Sequence, residues 1–442
     1  MKSWLIVVAS IVGSLFLAQT VRASGEMEIL LKKLQQKGIL TAAEADEIAK
    51  ETKQAAAEEK KAAEKAPAKE AKGLDIPDWI KNTKFKGDLR LRYEARDRED
   101  DQRGTQGRGR YRLRLGLESK VSDTVSAGVG LTSGTGDLRT ANQTYTGTFN
   151  KKNVWIDYAY ASYKPTKWFS MIGGKFVNPI YQPSDMLIAP DITMEGGALR
   201  VEGQVAEKVG LFFNGGTFIL DDRNSAATGS RPDPLLYVFQ PGVKFDITKD
   251  VFVRFAPAYY AYANLKNEAV LAPANTSLSA TNTAVNGKYR FDYSAINWGG
   301  DIGFTKPFGI SAIPYFGIMG GYIENPDPSN DNVGYLAGFT VGYPNVAKFG
   351  DWSFEYTFWR LEKDAWIDLF PESSFYNGNT NVAGHRLKFL FGLTKNTALG
   401  LNFYDTWRLR SFNPKASTTI PAATRTQSAE ENLFQADLIV KF

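Results

Sequence analysis

The 442-residue sequence has no cysteine and one histidine, His385. Without cysteine there are no disulfides, no thiolate metal sites and no covalently attached haem. With one histidine, multi-histidine metal centres and Ser–His triads have almost nothing to draw on. Long apolar runs are scarce too. Beyond Ala18 no window of about 18 or more apolar residues occurs, which leaves no candidate helix to span a bilayer. A barrel that crosses by strands leaves no such window either, because each of its strands has only one apolar face. Charge is nearly balanced, at a formal +5, so the basic excess expected of a nucleic-acid binder is missing. No cofactor and no metal is expected, and no enzymatic activity.

What is present falls into three stretches. Residues 1–23 read as a secretory signal: Lys2 gives the positive start, Trp4 to Ala18 the apolar core and Val21-Arg22-Ala23 a small-residue cleavage site. Residues 24–72 read as a short α-helical periplasmic arm. Met27, Leu30, Leu31 and Leu34 recur at helical spacing, Gly38 ends that helix, and Thr41-Ala42-Ala43-Glu44 forms a capping box that opens another. The Ala-, Glu- and Lys-rich residues 55–72 continue as a tether. Such an arm either associates with itself or touches the cell wall; the alternative is a solvated spacer.

From residue 73 to 442 the period changes to two. In residues 83–96, Phe85, Leu89, Leu91, Tyr93 and Ala95 alternate with Lys84, Lys86, Asp88, Arg90, Arg92 and Glu94. In 108–121, Tyr111, Leu113, Leu115 and Leu117 alternate with Arg110, Arg112, Arg114 and Glu118. One face is apolar and the other charged, which is the pattern of an amphipathic strand. The same grammar recurs at 124–133, 153–163, 168–177, 195–205, 208–219, 235–246, 250–262, 290–304, 311–323, 332–344, 351–361, 381–394, 397–409 and 431–442. The count is about 16, with 18 as the alternative, and each segment has roughly the length a tilted strand needs to cross an apolar layer.

The connections alternate long and short. The long ones are 97–107, 134–152, 178–194, 220–234, 263–289, 324–331, 362–380 and 410–430. Those between them run from two to six residues. A soluble sandwich has no reason to keep that rhythm. An up-and-down transmembrane barrel has one, with short turns and both termini on the periplasmic side. The expected fold is therefore all-β: a closed antiparallel barrel over residues 73–442, in contact with outer-membrane lipid. Aromatics gather near strand ends, among them Trp155, Tyr163, Trp168, Tyr259, Phe304, Trp352, Phe358 and Trp407, as interfacial girdles require.

The last strand puts Phe434, Ala436, Leu438, Val440 and Phe442 on one face and Leu433, Gln435, Asp437, Ile439 and Lys441 on the other. It resembles the terminal recognition strand of bacterial outer-membrane barrels, the segment that engages the barrel-assembly machinery. With this strand, Gly87-Asp88-Leu89-Arg90-Leu91-Arg92-Tyr93-Glu94, Val154-Trp155-Ile156-Asp157-Tyr158-Ala159-Tyr160, Gly174-Lys175-Phe176-Val177-Asn178-Pro179, Asp191-Ile192-Thr193-Met194-Glu195-Gly196, Arg360-Leu361-Glu362-Lys363-Asp364-Ala365 and Gly384-His385 make the chain resemble the "putative porin" family of bacterial outer membranes. That resemblance implies a pore for small hydrophilic solutes or ions, and a homotrimer. By similarity to general porins, the loop 178–194 folds inward and narrows the channel.

The candidate site follows. Arg90, Arg92, Arg110, Arg112 and Arg114 point into the lumen, because a charge facing lipid at mid-depth costs roughly 2–4 kcal/mol. Asp185, Asp191 and Glu195 face them from the loop and its end, so a transverse field crosses the constriction. The alternative is a structural ladder in which Asp88, Glu94 and Glu118 neutralise the arginines. Asp327, Ser329 and Asp331 have the spacing of a calcium loop but lack the rest of that motif, and read as a solvated loop. Asp97, Glu99, Asp100 and Asp101 are carboxylates interleaved with Arg96 and Arg98. Three rival readings remain: a barrel that sheathes a partner such as an electron-transfer cytochrome, a barrel enzyme, and an adhesin.

Overall fold

The computed structural model describes residues 77–99, 104–223, 232–271, 281–310, 312–410 and 429–442, with Thr41 and Lys50 alone ahead of them. The expected signal and helical arm otherwise lie outside the described residues, as do Asp100 and Asp101. Of the chain's two compact units, Pro77–Phe442 holds the strands.

Among the described residues, sixteen strands form the barrel wall after a helical turn at Asp78–Lys81, and a two-residue strand, Gln143–Thr144, pairs onto the second of them. The first half of the wall is β1 Thr83–Arg98, β2 Gln106–Lys120, β3 Val125–Thr132, β4 Trp155–Tyr163, β5 Phe169–Val177, β6 Thr193–Ala206, β7 Val209–Ile219 and β8 Leu235–Thr248. The second half is β9 Val251–Ala263, β10 Ala295–Thr305, β11 Tyr315–Glu324, β12 Val333–Gly342, β13 Trp352–Leu361, β14 Val382–Thr394, β15 Thr397–Arg408 and β16 Glu430–Lys441. Each pairs antiparallel with its neighbour in sequence. β16 returns to β1 in register from Asp88↔Lys441 to Arg98↔Glu431. The barrel is closed, so no row of backbone donors is left unpaired toward lipid.

The pleat sorts the side chains. On β1, Arg92 and Glu94 are buried while Leu91 and Tyr93 are exposed; on β16, Gln435 and Asp437 are buried while Phe434 and Leu438 are exposed. Polar groups face inward and apolar groups outward, the reverse of a soluble barrel. Aromatic contacts mark both rims of the outer face. Phe85 stacks on Phe442 at 6.1 Å, and at the long-loop end Phe358 and Trp407 flank His385 at 5.1 and 5.5 Å.

Two features depart from the sequence reading. The segment expected to begin a strand at Arg290 joins the wall only at Ala295. Residues 290–294 belong to a loop that carries its own small hairpin, Ala284–Val285 against Lys288–Tyr289. The lumen is also not filled by water alone. Loop residues Met186, Ile188, Trp366 and Phe370 join wall residues Phe218, Leu236, Val238 and Tyr260 in one buried apolar cluster. Long loops thus pack against the interior face of β7–β9, which is apolar there, and leave the charged stretch of wall elsewhere.

Candidate functional site

The loop 178–192 leaves β5 and returns in β6 with its side chains inside the barrel. Its exit is prepared by two glycines paired across those strands, Gly174 (φ +115°) and Gly196 (φ +147°). An added Cβ would strike the carbonyl oxygen of Ala159 at the first and of Thr217 at the second, so no side chain fits either place. Pairing of β4 with β5 ends at Ala159↔Lys175, and the loop turns in just beyond.

Inside, the loop is held by three kinds of contact. Its apolar middle, Met186-Leu187-Ile188, is buried. The Trp366 indole donates to the Leu187 carbonyl at 2.8 Å, and the Ala189 amide to the Phe370 carbonyl at 2.7 Å. Gln240 of β8 grips the Tyr181 backbone twice, accepting from its N–H at 2.8 Å and donating to its C=O at 2.7 Å. The third kind is ionic. Asp191 accepts from Arg114 at 2.9 Å, Arg112 at 3.4 Å and the Ala141 amide at 3.1 Å. Asp185 accepts from Arg386 at 2.5 Å and Lys388 at 3.2 Å. The loop is therefore strapped to two stretches of wall, β2 and β14, with β15, β16 and β1 between them.

Burial alone would push both loop carboxyls up. For Asp191 the guanidinium groups of Arg114, Arg112 and Arg90 more than offset it, and the carboxyl is lowered to about 2. For Asp185, Arg386 and Lys388 hold it below the ordinary carboxylate range.

The five arginines expected to line the lumen stand on the inner face of β1 and β2. Register places Arg90 directly opposite Arg112 and Arg92 opposite Arg110, and like charges so paired repel. Carboxylates intervene almost everywhere. Arg92 forks onto Asp437 of β16 at 2.6 and 2.7 Å. Arg112 binds Asp88 at 2.7 Å, Arg114 approaches Asp157 at 3.4 Å, and Arg108 and Arg110 share Glu94. The structural ladder thus exists through Asp88 and Glu94, whereas Glu118 pairs with Lys86 instead. Arg90 differs. Among the described residues it makes no ion pair, and its hydrogen bond is Nη2 to Asn142 Oδ1 at 2.7 Å.

The structure brings Arg90, Arg92, Arg110, Arg112, Arg114, Asp185 and Asp191 into the lumen. It corrects Glu195. Its neighbour Met194 is buried, so the pleat turns Glu195 outward, where its 62 % exposed side chain pairs with Lys175 at 2.8 Å. Phe434, Leu438, Val440 and Phe442 share the outer face of β16. Sequence reasoning missed Arg386, Lys388 and Glu355, which make the second anchor. Asp327 is taken by Lys266 at 2.8 Å and Asp331 by Arg410 at 2.7 Å.

A wall apolar outside and charged within, narrowed by a loop drawn across the lumen, defines a membrane channel of the porin class. Residues 100–297 and 311–442 match the family described as "Putative porin", and the chain belongs to that family. No curated protein is close enough in sequence to count as a match. Among solved structures, OprB of Pseudomonas putida aligns with a TM-score of 0.51 at 12% identity, over 82% of this chain and 95% of that one. OmpF of Salmonella typhi, solved in complex with daunomycin, aligns at 0.46 and 8% identity over 81% and 97%. The channel DcaP of Acinetobacter baumannii aligns at 0.44 and 12% over 81% and 97%. The first supports the fold. Family and fold together place the barrel in the outer membrane of a Gram-negative bacterium.

Proposed function

We propose that the barrel passes small hydrophilic solutes and ions by diffusion, and that the loop 178–192 sets the size limit. The observation that carries this reading is the strap. A loop tied through Asp185 and Asp191 to two parts of the wall narrows the lumen. Beside it lies a cavity of about 370 Å³ bordered by Arg90, Arg92, Asp191, Glu355 and Lys388, at the small end of ligand-sized volumes. Lumen charge set on both sides of such a gap orients dipolar solutes and sets ion preference. Both termini face the periplasm in this reading, and the assembly is a trimer.

The sheath reading is disfavoured because the chain's own loops occupy the space a partner polypeptide would need. Swelling of liposomes reconstituted with the purified protein tests the proposal. Pentoses and hexoses should enter, and entry should fall steeply for di- and trisaccharides. Swelling no faster than in protein-free liposomes would end it.

A further inference from the structure

We infer that the constriction holds a seat for a small organic monocarboxylate, with Arg90 as its anchor. The inference rests on the channel reading and deepens it by naming a solute class. Of the arginines on the basic wall, Arg92, Arg110, Arg112 and Arg114 each meet a carboxylate. Among the described residues Arg90 meets the Asn142 amide oxygen and no carboxylate, yet it borders the cavity. Its guanidinium fork is left to be met from the lumen, with the Nε also unpartnered.

A guanidinium offers a planar fork that fits a carboxylate in two parallel hydrogen bonds. The surroundings choose among anions. Asp185, Asp191, Glu355, Glu372 and Asp437 border the same cavity beside Arg92, Arg139 and Lys388, so a second negative charge on the ligand would be repelled, and a monoanion fits best. Ile439 lies directly beside Arg90 in the β1–β16 register, and Leu390 lines the cavity as well. Together they offer an apolar floor for a short alkyl chain. No bond is made or broken; the seat retains the anion briefly on its passage.

Planar-bilayer recording with sodium butyrate as probe tests this. Added butyrate should interrupt the current with a saturating concentration dependence. Arg90→Gln should weaken that interruption about tenfold or more, the scale of one charge-assisted hydrogen-bonded pair, and should move the reversal potential toward cations. Arg90→Lys should keep the ion preference and lose most of the butyrate effect, because charge remains and the fork does not. Arg200→Gln, away from the cavity, should change neither. Conductance with no butyrate interruption, or equal interruption in Arg90→Gln, would overturn the inference and leave the channel standing. Inserted protein that conducts no ion at all would overturn both.

Discussion

At the scale of single residues, the site is a matter of which charge has a partner. Arg386 is almost fully enclosed, with its side chain 1% exposed between Asp185 and Glu355 at 2.5 and 2.8 Å. Its guanidinium also lies 4.5 Å above the Trp359 ring. Arg386→Leu leaves Asp185 and Glu355 to share Lys388, at 3.2 and 3.9 Å, and removing one partner of a buried pair costs up to about 3–5 kcal/mol. The thermal unfolding midpoint in detergent should fall clearly, and Asp185→Asn added to it should cost little more, since both remove the same contact. Full additivity would mean that Asp185 and Arg386 act independently. The lumen arginines of β1 and β2 were legible from the sequence, because five charges on one face of two adjacent strands admit only an inward direction. Arg386 was not. It follows Gly384-His385, and its partner stands 201 positions earlier in the chain. Glu195 was misread although a signal was present. It shares its parity with Leu199 and Val201, which belong to the lipid-facing set.

At the scale of elements, strand and loop differ in how they reveal themselves. A strand states its two faces in its own period, so all sixteen were legible to within a few residues. A loop states only its composition. Met186-Leu187-Ile188 and Trp366-Ile367 are apolar within stretches that join strands, which signals burial but not against what. The loop 178–192 is positioned jointly by glycines in β5 and β6, by Gln240 in β8 and by cations in β2 and β14. No local pattern contains that set. The ionic part of the strap has a definite pH dependence. Asp191 is held at about 2 and Asp185 below the ordinary 3.8, so the folded loop binds fewer protons than a released one. Its tie is fully present above about pH 4 and is lost as pH falls through about 2. Single-channel records should show few gating transitions from about pH 7 to 4, and many only below about 3. A transition centred above pH 4 would show that these carboxyls are not held by Arg112, Arg114 and Arg386.

At the scale of the whole molecule, the barrel is two-sided within as well as without. Charged groups of β1, β13, β14 and β16 border the open cavity, while loops packed on β7–β9 fill another part of the lumen. Trp366 joins the halves. Its ring meets Tyr260 at 4.8 Å and Tyr262 at 5.8 Å, and its indole N–H holds the constriction loop through Leu187. Trp366→Ala removes a fully buried side chain, and truncations of that kind cost about 3–5 kcal/mol. The barrel wall does not depend on this residue, since every strand pairs with two others. The loss should therefore fall on the loops. Unitary conductance should rise, and larger sugars should enter liposomes, because the constriction loop loses its apolar anchor. Ion preference should stay near the wild-type value, because Arg90 and its neighbours stand on the wall and keep their places. A variant with unchanged conductance would mean that the apolar fill does not support the constriction. One with altered preference and unchanged size limit would mean that the two sides of the lumen are not separable.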